Sequence, residues 1–133
     1  MKLRTHYFQA LVIVLFSFFS QAVSAQTSDK EVTIIELAQT PGAFETTELH
    51  LKPGKYQFKV ANEGVDHEVG FVVQKASDKD GDLMETAIKS SFTTKTVPDG
   101  KAEYTGVITL TEGEYVYSCP LNPTPHYKLQ VKK

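Results

Sequence analysis

The chain has 133 residues, a formal net charge of −2 and a single cysteine. That length supports one domain with a modest core and leaves no room for two. The scattered, mildly acidic charge offers no basic stripe for nucleic acid, and one cysteine excludes an internal disulfide.

Residues 1–25, MKLRTHYFQALVIVLFSFFSQAVSA, open with Lys2 and Arg4, continue through an apolar run at 10–19 and close on the small residues Val23-Ser24-Ala25. The run falls short of the roughly 20 residues that a spanning helix needs. The pattern is that of a secretory signal peptide cleaved after Ala25, which predicts a periplasmic or secreted protein. Removing 25 residues leaves a mature domain of 108, residues 26–133, with 12 of the 14 basic residues against all 16 acidic ones. That domain is expected to be soluble and without stable membrane association, since no second long apolar run exists, and a monomer is expected.

Strand-like runs then follow one another. EVTIIELA (31–38) is rich in β-branched residues. TTELHLKPG (46–54) leads through Pro53-Gly54 into KYQFKVANEG (55–64), where Tyr56, Phe58 and Val60 alternate with polar neighbours. HEVGFVVQK (67–75) is the next strand. SDKDGD (77–82) is a polar turn, and DLMETAIKSSF (82–92) predicts a helix of two or three turns capped by Asp82. The alternating Asp78, Asp80 and Asp82 suggest a calcium loop. However, Gly81 comes one ligand too early, and Lys89 stands where a closing glutamate is required, so the segment reads as a solvated turn. AEYTGVITL (102–110) and GEYVYSC (113–119) are strands joined by a short turn, and YKLQVKK (127–133) closes the chain with Tyr127, Leu129 and Val131 on one face. The expected fold is all-β: an antiparallel β-sandwich of seven or eight strands with one short helical excursion.

The chemistry concentrates in YVYSCPLNPTPHY (115–127). An odd cysteine in an exported chain implies intermolecular pairing, a reactive thiol or a metal ligand. Of the four histidines, His6 leaves with the signal, and His50, between Leu49 and Leu51, is turned to solvent by strand alternation. His67 and His126 remain. Two imidazoles and a thiolate suit copper, and a loop with three prolines keeps its ligands from relaxing at each change of redox state.

At these residues the sequence resembles the cupredoxins, the small blue copper proteins of the plastocyanin, azurin and pseudoazurin type. LKPGKYQFKVANEGVDHEVGFVV is similar to that family's strand, turn, ligand histidine and following strand, and GEYVYSCPLNPTPHYKLQVKK to its closing ligand loop and strand. The resemblance implies a greek-key sandwich in which His67, Cys119 and His126 hold one copper ion in a type 1 site. It also implies single-electron exchange with larger redox partner proteins rather than enzymatic catalysis.

The chain departs from the family in three places. Its Cys-x6-His spacing is longer than the family's, no methionine follows His126, and Glu68 stands where asparagine is usual. Glu68 and Gln130 are therefore the candidates for the axial place or for a residue bonded to a ligand, although alternation with Leu129 and Val131 turns Gln130 to solvent. Two other readings stay open: a non-redox copper module for delivery, storage or sensing, and a cupredoxin-like domain that has lost its metal. A thiol-dependent enzyme has little support, since nothing near Cys119 forms a recognisable base-and-acid motif.

The signal reading predicts an exported protein that begins at Gln26. N-terminal mass analysis checks it, and an intact Met1 in the membrane fraction refutes it.

Overall fold

The computed structural model describes residues 31–133, so the export segment expected at 1–25 lies outside the described residues. In chain order the strands are β1 (Val32–Thr40), β2 (Ala43–Phe44), β3 (Glu48–Leu51), β4 (Gly54–Asn62), β5 (Val72–Lys75), β6 (Ala102–Tyr104), β7 (Ile108–Leu110), β8 (Gly113–Ser118) and β9 (Tyr127–Val131). A single-turn helix, α1 (Leu83–Thr86), lies between β5 and β6. The first sheet runs β2-β1-β4-β6 with β7 also on β4, and the second runs β3-β9-β8-β5. The two-layer sandwich agrees with the sequence reading.

Two pairings depart from the wholly antiparallel expectation, since β1–β4 and β3–β9 are parallel. After β2 the chain crosses to the second sheet as β3 and returns as β4. β2 runs opposite to β1, and the chain reverses once more on its way through β3, so β4 comes back in the direction of β1 and pairs with it in parallel. Period-2 alternation alone carries no information about such a crossing.

β4 is the central strand, and its alternation is complete: Tyr56, Phe58, Val60 and Asn62 are buried, with half-buried residues between them. It faces Tyr115, Tyr117, Leu129 and Val131 of the second sheet across one core. Aromatic rings fill the middle. Phe58 lies 4.9 Å from Phe71, Phe44 packs edge-on at 5.3 Å from Tyr117, and Tyr117 stacks at 5.4 Å on Tyr127. Tyr117 is fully buried, and its hydroxyl donates to the Thr46 carbonyl. Burial pushes that phenol well above its ordinary pKa, so it remains a donor.

Three predicted elements are shorter in the fold, each because a competing contact wins. The helix expected at 82–92 starts as predicted, with Asp82 accepting from the Met84 N–H at 2.8 Å. It stops after Thr86 because the chain turns to pair with β5: Ala87 bridges Gln74, and the Ile88 N–H donates to the Val73 carbonyl at 2.9 Å. The strand expected at 67–75 keeps only 72–75, because the preceding stretch leaves the sheet and Val69 bridges Val97. The strand expected at 102–110 divides at Thr105, whose hydroxyl accepts from the Phe58 N–H at 3.0 Å. At Gly106 a Cβ would lie 2.9 Å from the Ser90 carbonyl oxygen, so only glycine passes there without a shift of the backbone.

Phe58→Ala should therefore lower the unfolding free energy by about 3–5 kcal/mol, the usual loss for a buried phenylalanine. A urea melt with a reduced midpoint and an unchanged slope is the expected result.

Candidate metal centre

Cys119 directly follows β8 and is buried, its side chain turned into the core beside Tyr117. Its Sγ accepts two backbone hydrogen bonds, from the Gly70 N–H at 3.3 Å and the Asn122 N–H at 3.1 Å. Its own N–H donates to Thr124 Oγ1 at 3.0 Å. The thiol thus joins two loops, 63–71 and 120–126. Pro120 and Leu121 lie over Gly70, within 4 Å of where a Cβ on that glycine would sit.

The loop carrying His67 is shaped by Asn62, the buried last residue of β4. Its Oδ1 accepts from the Val65 N–H at 2.9 Å, and its Nδ2 donates to the His67 carbonyl at 2.9 Å and the Val97 carbonyl at 3.1 Å. Gly64 sits at φ 87°, a conformation that glycine adopts at no steric cost, and donates to Asp99 Oδ1 at 2.9 Å. Valine 65 and Val69 pack inward, leaving Asp66, His67 and Glu68 exposed.

His67 has an oxygen at each ring nitrogen. Nε2 lies 3.0 Å from the Leu121 carbonyl, on the loop that follows Cys119, and Nδ1 lies 3.1 Å from Asp66 Oδ1. Both oxygens only accept, so the ring satisfies both partners as an imidazolium. The Asp66 bond, reinforced by the Leu121 carbonyl, raises its pKa above the ordinary 6.5. His126 is exposed and stands one residue before Tyr127, whose ring enters the core.

Glu68 is exposed and accepts from Thr96 Oγ1 at 2.7 Å. Gln130 lies in β9 opposite Glu114, at the other end of the β8–β9 ladder from the Tyr117↔Tyr127 pair that adjoins Cys119. Its amide donates to Glu114 Oε1 at 2.7 Å, and its oxygen faces His50 Nδ1 at 3.2 Å. His50 Nε2 in turn meets Glu48 Oε1 at 3.0 Å.

The fold thus joins the loops of His67 and Cys119, through the Leu121 carbonyl and through Gly70. Among the described residues, no three His, Cys, Asp or Glu side chains are arranged to hold a metal ion. The donor types suit copper, but a metal-binding nitrogen must present a lone pair, and both nitrogens of His67 are engaged. The thiol fits the group, and His67 fits it only once one ring nitrogen gives up its present partner, Asp66 or the Leu121 carbonyl. Sequence reasoning also missed Gln39, Gly70 and Asn122, all buried around the thiol. Asn122 alone left a trace, as an amide inside an otherwise proline-rich loop.

Likeness to solved structures is found at the level of the whole sandwich. Auracyanin B superposes with a TM-score of 0.58 at 16% identity, over 76% of this chain and 89% of that one. Auracyanin A, a blue copper protein of the green thermophilic photosynthetic bacterium Chloroflexus aurantiacus, does so at 0.58 and 15% identity, over 77% of this chain and 100% of that one. The fold is that of a cupredoxin. Dithionite-reduced auracyanin from the photosynthetic bacterium Roseiflexus castenholzii, at 0.56 and 18% identity over 76% of this chain and 98% of that one, has the same cupredoxin architecture. No family model and no curated protein sequence matches the chain.

The His67 bonds have a pH consequence. A pKa raised in the fold means that their stabilising contribution is fully present below the ordinary value of 6.5 and is lost as pH rises through the folded value. Asp66→Asn removes the largest cause, so the ring should titrate at lower pH than in the wild type. Proton NMR of the His67 ring checks this, and an unmoved midpoint contradicts it.

Proposed function

We propose that the chain is an exported copper protein of the cupredoxin type, in which the Cys119 thiol anchors one copper ion and His67 and His126 are its imidazole partners. Its role is single-electron exchange with larger redox proteins in the periplasm or outside the cell, without catalysis of its own. The observation that carries the reading is the buried sulfur of Cys119, gripped by backbone N–H groups from two loops at the end of a cupredoxin-type sandwich. Copper, when bound, supplies a one-electron couple. The chain's contribution is a thiol held in a fixed place by strand and loop, and two histidines on the segments that flank it.

A second reading is a cupredoxin-like domain that works without metal, which the doubly engaged ring of His67 favours. Gln130 is a poor candidate for an axial place, because its oxygen and its amide nitrogen are bonded to His50 and Glu114, whereas Glu68 uses only Oε2, on Thr96.

Adding Cu(II) to the purified protein separates the two. The copper reading expects one equivalent bound, an intense visible absorption lost in Cys119→Ser and weakened in His67→Ala and His126→Ala, and a raised unfolding temperature. Gln130→Ala should leave the spectrum unchanged. A wild type that binds copper no better than Cys119→Ser ends the copper reading and leaves the metal-independent one standing.

A further inference from the structure

Around the thiol runs a closed circuit of buried amides. Asn122 is 2% exposed, and every polar atom of its side chain is used. Oδ1 accepts from the Gly42 N–H at 2.9 Å, while Nδ2 donates to the Thr40 carbonyl at 3.0 Å and to Gln39 Oε1 at 3.3 Å. Gln39, fully buried, passes the connection on, donating from Nε2 to the Gly70 carbonyl at 2.6 Å. The backbone N–H groups of Gly70 and Asn122 then meet on Cys119 Sγ. The circuit therefore runs from sulfur to Gly70, Gln39, Asn122 and back. It ties the cysteine loop to the end of β1 and to the β1–β2 turn, 80 or more positions away in sequence.

We infer that Asn122 is a positioning residue that clamps the 120–126 loop over Cys119 and so controls what reaches the thiol. An asparagine amide has both donors and an acceptor, and here all three functions are matched by partners fixed on the first sheet. Its neighbours in sequence, Pro120, Leu121 and Pro123, are exposed, so in this loop the buried amide is what reaches into the protein. In an oxidising compartment an unpaired thiol is open to mixed disulfides and oxidation. A loop held shut by buried hydrogen bonds makes such reactions wait for a local opening. The inference concerns access to the sulfur proposed above as a metal donor, but it stands or falls without metal.

The test is the rate at which Cys119 reacts with an aromatic disulfide in metal-free buffer. The thiolate attacks the reagent's disulfide, forms a mixed disulfide and releases a coloured aromatic thiolate. Asn122→Ala should react at least tenfold faster than wild type, with a rate nearly independent of low urea, the mark of a local opening. Asn122→Asp should not rescue the slow rate, because a carboxylate accepts from Gly42 but faces the Thr40 and Gln39 oxygens with no hydrogen to give. Ile108→Val, a mild core change far from the circuit, should react like wild type.

An Asn122→Ala rate equal to wild type, or one that rises only in step with global unfolding in urea, overturns the inference. Should that variant not fold, amide hydrogen exchange in the wild type decides. The Asn122 and Gly42 N–H groups should be protected and should open at the rate that limits thiol modification. Exchange of these amides at the rate of free loop residues also overturns it.

Discussion

A buried sulfur that accepts two backbone hydrogen bonds is the joint on which this end of the sandwich depends. The first sheet ends in polar residues, Gln39 on β1 and Asn62 on β4, at positions where alternation demands an inward side chain. Inward polar groups are tolerable only with partners. Both find them in the loops, Asn62 in the segment around His67 and Gln39 in Gly70 and Asn122. Cys119 then fastens these two loops to each other from the second sheet. The aromatic middle of the core gives the domain its stability, and this polar end gives the loops their positions.

Much of the sandwich was legible because half-buried strands advertise themselves. The alternation of Tyr56, Phe58 and Val60, and that of Tyr127, Leu129 and Val131, led straight to β4 and β9. What stayed hidden was set by contacts distant in sequence. The parallel pairing of β1 with β4 depends on a crossing between layers, and the end of α1 depends on Val73 accepting from the Ile88 N–H. Neither has a local signature.

The site was legible only in part, for a related reason. Cysteine and histidine stand out in any sequence because their chemistry is rare, so Cys119, His67 and His126 were visible at once. Gln39 and Asn122 read as ordinary polar residues, and their importance comes from facing each other across 83 positions. The ring of His67 shows the complementary limit. Sequence can nominate an imidazole, but the state of its two nitrogens is decided by Asp66, beside it, and by a carbonyl 54 positions away.

The parallel pairing of β3 with β9 also bears on the order of assembly. Leu49 meets Leu129 and Leu51 meets Val131, so the second sheet cannot close until the last strand of the chain is available. Contacts of such long range are formed late, because the loop entropy must be spent before the pairing is gained. A chain made from its N-terminus delivers β9 last, just after Cys119 itself. The thiol is therefore sheltered only once that last strand has paired and the 120–126 loop has closed over the sulfur, so completing the sheet and covering the cysteine are one event.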